Sequence, residues 1–338
     1  MIFCAIKMDE FITRIKLLAL IALISSCIGI GCKAEKKIRV IKLGHGLAPT
    51  HPVHLAMKFL AEHVYQRSNQ RLRIDIYPSE QLGSERECLE LLQVGSLGMA
   101  KVSCSVLEGF VPAMSILSLP YLFRDEEHRT KVLEGEVGKK LLREGEKFWL
   151  RGLCFYDAGM RSFYTKAKPI LVPDDLIGLK IRTQESTTSM RMVQALGGSP
   201  TPIAWGELYS ALQQGVVDGA ENNPPSYYLS KHYEVCKFYS LDEHTAVPDV
   251  LLISTRAWSS LSPEFQNLIQ QAADESAQYE KQLWMKATQE ALKQVQKFGA
   301  KIFYPDKRLF ADKVRPLYEN YKAKPELFEL IQKVEELH

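Results

Sequence analysis

The sequence predicts an α/β fold built as two units joined at more than one point, and three observations carry that prediction. Strand-like and helix-like stretches alternate from residue 38 to about residue 156, the pattern of a sheet with helices on its faces. The alternation restarts near Arg161. A single helical pattern then runs from Pro263 to about Phe298 with no internal Gly or Pro. At ~1.5 Å per residue it would be about 50 Å long, too long for one small domain, so it must lie across both units.

The elements follow in order. "IRVIKLG" (38–44) reads as a strand, and His51 to Gln66 places Leu55, Phe59, Leu60 and Val64 on one helical face. "LRIDIYP" alternates Leu72, Ile74 and Ile76 with Arg73 and Asp75, the period of a half-exposed strand. "SERECLELLQVG" reads as a helix with Ser84 as N-cap and Gly95 as its stop. In the second unit, strand "LKIRT" precedes a helical stretch over 187–196, the turn "GGSP", and a helix carrying Trp205, Leu208 and Leu212. "PDVLLIS" (248–254) is a continuous apolar run suited to a strand buried on both faces. Neither an internal repeat nor a Gly-Ser linker breaks the chain, so several short crossings rather than a loose tether join the halves. The sheets are expected to be mostly parallel.

The length of 338 residues suits two domains, and 46% apolar with 25% charged residues is ordinary globular composition. The start differs in kind. Arg14 and Lys16 precede the apolar run "LLALIALIS", which small residues and Cys27 follow at once, the form of a secretory signal. Ile24-Ser25-Ser26-Cys27 resembles the bacterial lipobox, and the stretch ending at Cys32 is a poorer match; the alternative is an ordinary cleaved signal that leaves the protein free in the periplasm. Without residues 1–26 the formal charge falls from +3 to +2, because Lys7, Arg14 and Lys16 go with Asp9 and Glu10, and nucleic acid is not a partner. The internal cysteines Cys88, Cys104, Cys154 and Cys236 lie far apart with no zinc spacing, and read as buried small hydrophobes.

The chain carries no GxSxG, HExxH, GxxxxGK[ST] or strand-linked GxGxxG pattern, so the usual nucleophile, zinc and phosphate devices are missing. His45, His51 and His54 are interrupted by Pro49 and Pro52, which breaks any regular metal-ligand face. No cofactor or metal is expected, and binding is expected rather than catalysis. Arg182, at the end of "LKIRT", and Arg161, in "AGMRSFYT", are candidates to hold a carboxylate through paired N–H···O bonds. Local sequence leaves open that either serves in a structural ion pair.

Three stretches carry a resemblance: "YPSEQLGSERECLELLQVG" (77–95), "GLKIRT" (178–183) and "PTPIAWGELYSALQQGVVDGAENNP" (200–224). Together they resemble the substrate-binding proteins of TRAP transporters, the DctP family, over essentially all of the chain after the signal. The resemblance implies that Arg182 clamps the substrate carboxylate, that Arg161 is a second basic position near it, and that Asn222 lies at the substrate with Glu221 beside it and Asn223 near. Trp205 stands where the family often has an aromatic pocket wall, with the core of an amphipathic helix as the alternative. His45, Glu85 and Ser103 fall near positions that line the cleft from the first lobe.

The resemblance also implies a two-lobed periplasmic binding protein whose cleft closes on its ligand. The expected division is residues 1–27 as signal and lipobox, 38–158 with 248–287 as lobe I, and 159–247 with 288–338 as lobe II. "DGAENNPPSYY" followed by "HYEVCKFYSLDEHT" resembles members that bind hexuronates such as glucuronate or galacturonate. The implied function is a monomeric receptor that delivers a sugar acid to the membrane permease subunits. A C4-dicarboxylate or sialic acid-type ligand, or a sensor subunit, is the alternative.

Overall fold

The computed structural model describes Met8, Phe11 and residues 13–19 and 38–337. Residues 13–19 are helical and belong to a separate N-terminal unit, Met1–Ile38; Cys27 and Cys32, the lipobox candidates, lie outside the described residues. No helix among the described residues is long and apolar enough to cross a membrane.

From Arg39 onward the chain forms two sheets. Strands β1 (Arg39–Gly44), β2 (Leu72–Tyr77), β3 (Met99–Ser103), β4 (Leu150–Tyr156) and β10 (Asp249–Ser254) make a five-stranded sheet in the order β2-β1-β3-β10-β4. Strands β5 (Arg161–Thr165), β6 (Lys180–Thr183), β7 (Ser199–Pro202), β8 (Gly219–Asn222), β9 (Phe238–Thr245) and β11 (Lys301–Phe303) make a six-stranded sheet in the order β11-β9-β5-β8-β6-β7. Each sheet is the centre of one lobe.

The sheets are mixed, so the expected mostly parallel pairing is met only in part. β10 is antiparallel to both β3 and β4, and β5 to both β8 and β9, whereas the remaining pairs are parallel. The reason lies in the crossings. The chain passes from β4 to β5 through residues 157–160 and from β9 back to β10 through 246–248. Strands fed by a helix end at the cleft between the sheets, while β5 and β10, arriving straight from the other lobe, begin there.

Each sheet is covered on both faces. In β10, Leu251 and Ile253 pack with Val53, Met57 and Ile269 on one side, and Val250 and Leu252 with Leu89, Leu92 and Ile331 on the other, the alternation of a strand with no solvated face. In the second lobe Tyr164 packs with Leu212, Tyr227 and Tyr239, and its neighbour Phe163 with Ile181, Val193 and Phe310 on the opposite face. The long helix spans Pro263–Lys297, with Ser262 as N-cap; Ile269, Ala272 and Ala273 sit in the first lobe's core and Val295 in the second's. The last helix, Pro325–Glu336, places Leu330, Ile331 and Val334 in the core of the first lobe. Cys88, Cys104, Cys154 and Cys236 are all buried and unpaired.

Candidate functional site

The strand ends converge on one cavity between the lobes. Ala158 of one crossing and Val247 of the other line it, as does Trp284 from the long helix. Ligand sites in open α/β sheets lie at such strand ends. Among the contacts that hold the lobes together around it, the Glu80 carboxylate accepts from the Gly206 N–H at 3.1 Å across the mouth, and the buried Glu108 accepts from Ser186 Oγ and the Thr188 N–H, both at 2.9 Å.

On the second lobe's wall the order β5-β8-β6 places Arg161 and Arg182 on either side of β8, where Glu221 and Asn222 stand. Arg161 is engaged at all three nitrogens. Its Nε and Nη2 donate to the two Glu221 carboxylate oxygens at 2.5 and 2.8 Å, Nη2 also to the Glu221 carbonyl at 2.9 Å, and Nη1 to Asn222 Oδ1 at 2.9 Å. Behind it, His244 Nε2 lies 3.6 Å from Glu221, and its Nδ1 meets Asp242 at 2.7 Å. Burial alone would raise the Glu221 carboxyl, but Arg161 and His244 outweigh it and hold it down at about 2. Burial likewise opposes charge on His244, yet Asp242 and Glu221 raise it to about 9. Asp242, His244, Glu221 and Arg161 therefore form a buried row of alternating charge, in which each ion has a partner.

Arg182 differs. It is 2% exposed; its Nε donates to the Ile203 carbonyl at 2.9 Å, and its guanidinium lies 5.8 Å from the Trp205 ring centroid. Nη1 is buried with no hydrogen-bond partner among the described residues, and burial pushes the guanidinium pKa down. An unpaired buried donor on a charged group is costly. Its place on the cavity wall makes a ligand anion the natural partner. Beside it, Asn222 Oδ1 accepts from Arg161 and from the Asn223 N–H at 2.9 Å, which fixes the amide and leaves its Nδ2 donors for the cavity. Asn223 also reaches the wall, while its Oδ1 caps helix Pro224–Leu229 through the Ser226 N–H at 2.8 Å. Trp205 stands on a 3₁₀ turn before helix Leu208–Gln214 and packs edge-on against His232, their centroids 5.3 Å apart. Burial, with Arg182 near, lowers His232 to about 3.

The first lobe's wall carries Glu85, Lys101 and Asp249. Lys101 Nζ donates to Glu85 at 2.8 Å and Asp249 at 3.2 Å, and the Ser103 N–H donates to the other Glu85 oxygen at 3.0 Å. Burial raises the Asp249 carboxyl, and Lys101 acts against it.

Of the residues expected from sequence, Arg161, Arg182, Trp205, Asn222, Asn223 and Glu85 line the cavity. Three do not reach its wall. Glu221 lies behind Arg161. His45 is 1% exposed and pairs with His54, Nε2 to Nδ1 at 3.0 Å. Ser103 caps the short helix Cys104–Leu107. His51 reaches the wall where His45 does not; it sits against Trp284 and meets Ser226 Oγ at 3.3 Å across the lobes. Sequence reasoning missed His51, Trp284, Lys101 and Asp249. The last two carried a legible signal, since each is a lone charge at or inside an apolar run ("GMAKVSCS", "PDVLLIS"), and a charge in a buried strand must have a partner.

Residues 43–324 match the family model of bacterial extracellular solute-binding proteins, family 7, DctP. The chain is 36% identical to a TRAP periplasmic solute-binding protein of Xanthobacter autotrophicus solved with bound β-D-galacturonate, covering 88% of this chain and 100% of that one at a TM-score of 0.86. It is 34% identical, at a TM-score of 0.86 with 88% and 98% covered, to one from Anaerococcus prevotii solved with D-glucuronate. The C4-dicarboxylate-binding periplasmic protein DctP of Rhodobacter capsulatus is 31% identical, with 87% of this chain and 88% of the relative covered. The chain belongs to the DctP family of bacterial extracellular solute-binding proteins, the ligand receptors of TRAP transporters rather than enzymes.

Proposed function

We propose that this receptor takes a monocarboxylate sugar acid, a hexuronate such as D-galacturonate or D-glucuronate, and hands it to the membrane permease subunits of its transporter. The observation that carries the reading is the unpaired Nη1 of Arg182 on a cavity wall. A ligand carboxylate would satisfy it, with the Asn222 amide beside it and the Trp205 ring covering an apolar sugar face. Galacturonate and glucuronate bound to relatives of 34–36% identity support the same class. The family works in the periplasm; a lipid anchor at Cys27 and a monomeric receptor complete the proposal. The lobes are taken as 38–158 with 248–287, and 159–247 with 288–338 apart from the last helix.

Cleft closure then follows from differential contact. The lobes favour the closed arrangement only by the free energy of contacts that an open cleft lacks, and the ligand bridging Arg182 to the first lobe's wall supplies them. Isothermal titration against D-galacturonate, D-glucuronate and succinate tests the reading. Saturable one-to-one binding of at least one hexuronate, lost in Arg182→Ala and not restored in Arg182→Lys, is expected, since an ammonium lacks the planar fork. Undiminished binding by Arg182→Ala would overturn the clamp, and preference for succinate would overturn the hexuronate.

A further inference from the structure

The charges on the two walls do not balance symmetrically. On the second lobe, Arg161 is neutralised by Glu221, so Arg182 is the one lining Arg or Lys side chain without a carboxylate partner among the described residues. On the first lobe, one cation, Lys101, stands between two carboxylates, Glu85 and Asp249. Lys101 is 2% exposed at its side chain, and Glu85 and Asp249 are 13% and 11% exposed. β3 and β10 build this arrangement in register: Asp249 lies opposite Ser103 and Leu251 opposite Lys101, so Lys101 and Asp249 project from the same face two residues apart. Glu85 enters from the first turn of helix Glu85–Val94 and is fixed by Lys101 and the Ser103 N–H together. The three side chains present the cavity with one more negative group than positive, and Glu85 and Asp249 engage two of the three Lys101 donors.

We propose that Glu85, Lys101 and Asp249 form the specificity-determining wall of the site: their carboxylates accept hydrogen bonds from ligand hydroxyls and repel a second ligand carboxylate, with Lys101 as the positioning residue that holds them. The inference rests on the hexuronate reading and goes beyond it, because it assigns the rejection of dianions to three named side chains. Discrimination by like-charge juxtaposition acts against the wrong ligand rather than for the right one. A dicarboxylate that satisfies Arg182 with one end must bring the other against Glu85 and Asp249 or displace one of them from Lys101, leaving a buried carboxylate unpaired.

The test pairs D-galacturonate with galactarate, the corresponding six-carbon acid that carries a carboxylate at both ends, in titrations of the parent, Asp249→Asn and Glu85→Gln, each shown to be folded by circular dichroism. The parent is expected to favour galacturonate by more than about a hundredfold, and the preference to shrink at least about tenfold in both variants as one repelling charge is removed. A parent that binds the two acids within about threefold, or folded variants that gain nothing toward galactarate, would overturn the inference. Should Asp249→Asn fail to fold, Glu85→Gln, the most exposed of the three, decides alone. A parent that binds neither acid refutes the hexuronate reading instead, so the two failures are distinguishable.

Discussion

Arg161 and Arg182 flank the same strand, face the same cavity and are both buried, yet they are opposite in kind. Arg161 spends its donors on Glu221 and Asn222, and a histidine and an aspartate brace that pair from behind. Arg182 spends its Nε on a backbone carbonyl and leaves Nη1 unpaired. Two identical side chains two strand spacings, or about 10 Å, apart thus differ: one is tied into the wall, the other leaves a buried donor unpaired beside the cavity. What separates them is the carboxylate each does or does not have, not residue type or burial.

The contrast is sharpest in stability. Arg161→Ala would strand Glu221 in a site where only His244 remains to balance it, and breaking a buried pair from one side costs about 3–5 kcal/mol. Urea unfolding should show that loss in Arg161→Ala and almost none in Arg182→Ala, which removes a desolvated cation with no ionic partner to strand. Equal losses would erase the distinction.

Binding should show the reverse order. For Arg182→Ala the expected loss is on the order of 2–5 kcal/mol, because a desolvated carboxylate keeps no charge-assisted partner, or roughly 30- to several-thousand-fold in affinity. Asn222→Ala removes neutral hydrogen bonds and should weaken hexuronate binding by about 1–3 kcal/mol. Titration calorimetry that ranked Asn222 above Arg182 would move the clamp from the guanidinium to the amide.

Two histidines repeat the contrast on the scale of a proton. His232, near Arg182, is kept neutral with its pKa lowered to about 3, whereas His244, against Asp242 and Glu221, is kept charged with its pKa raised to about 9. A lowered value means that stability is present above the unfolded value of about 6.5 and declines as pH falls toward 3. A raised value means that stability is full below about 6.5 and declines as pH rises through 9. Each histidine contributes a slope of at most about 1.4 kcal/mol per pH unit in its window. His45 and His51, lowered to about 2 and about 3, reinforce the acid side. The urea midpoint should therefore peak near neutrality and fall on both sides; a midpoint that rose steadily from pH 6.5 to 9 would contradict a charged His244.

What was legible in the sequence was local. Ser84 and Gly95 bound their helix as expected, with Ser84 in a capping box and Gly95 at φ 81°, because caps are read within four residues. The long helix and β10 announced themselves by uninterrupted pattern. What the sequence hid was pairing at a distance. Glu221 stands sixty positions from Arg161, so no window reveals that one arginine is taken and the other is not. The reversal of β5 and β10 was hidden for a related reason: a period of two is the same read in either direction, and direction is set by the crossings. Ser103 caps a helix and His45 pairs with the His54 ring, while Lys101, two residues before Ser103, and His51, six after His45, reach the wall. An offset of two along β3 conserves the face, so strand pattern could not decide between Lys101 and Ser103.

The crossings have a mechanical consequence. Ala158 and Val247 lie in the two connections and line the cavity, where Trp284 of the long helix meets Gly159 so closely that a Cβ there would stand 2.6 Å from its Nε1. The fulcrum of the molecule is therefore the floor of its own binding site, and the Glu80 contact with Gly206 sits at the far end of the lever. A ligand acts on the short arm and the mouth answers on the long one. Under the proposed closure, whatever props the floor ajar also holds the lips apart, so the width of the mouth would report what fills the floor.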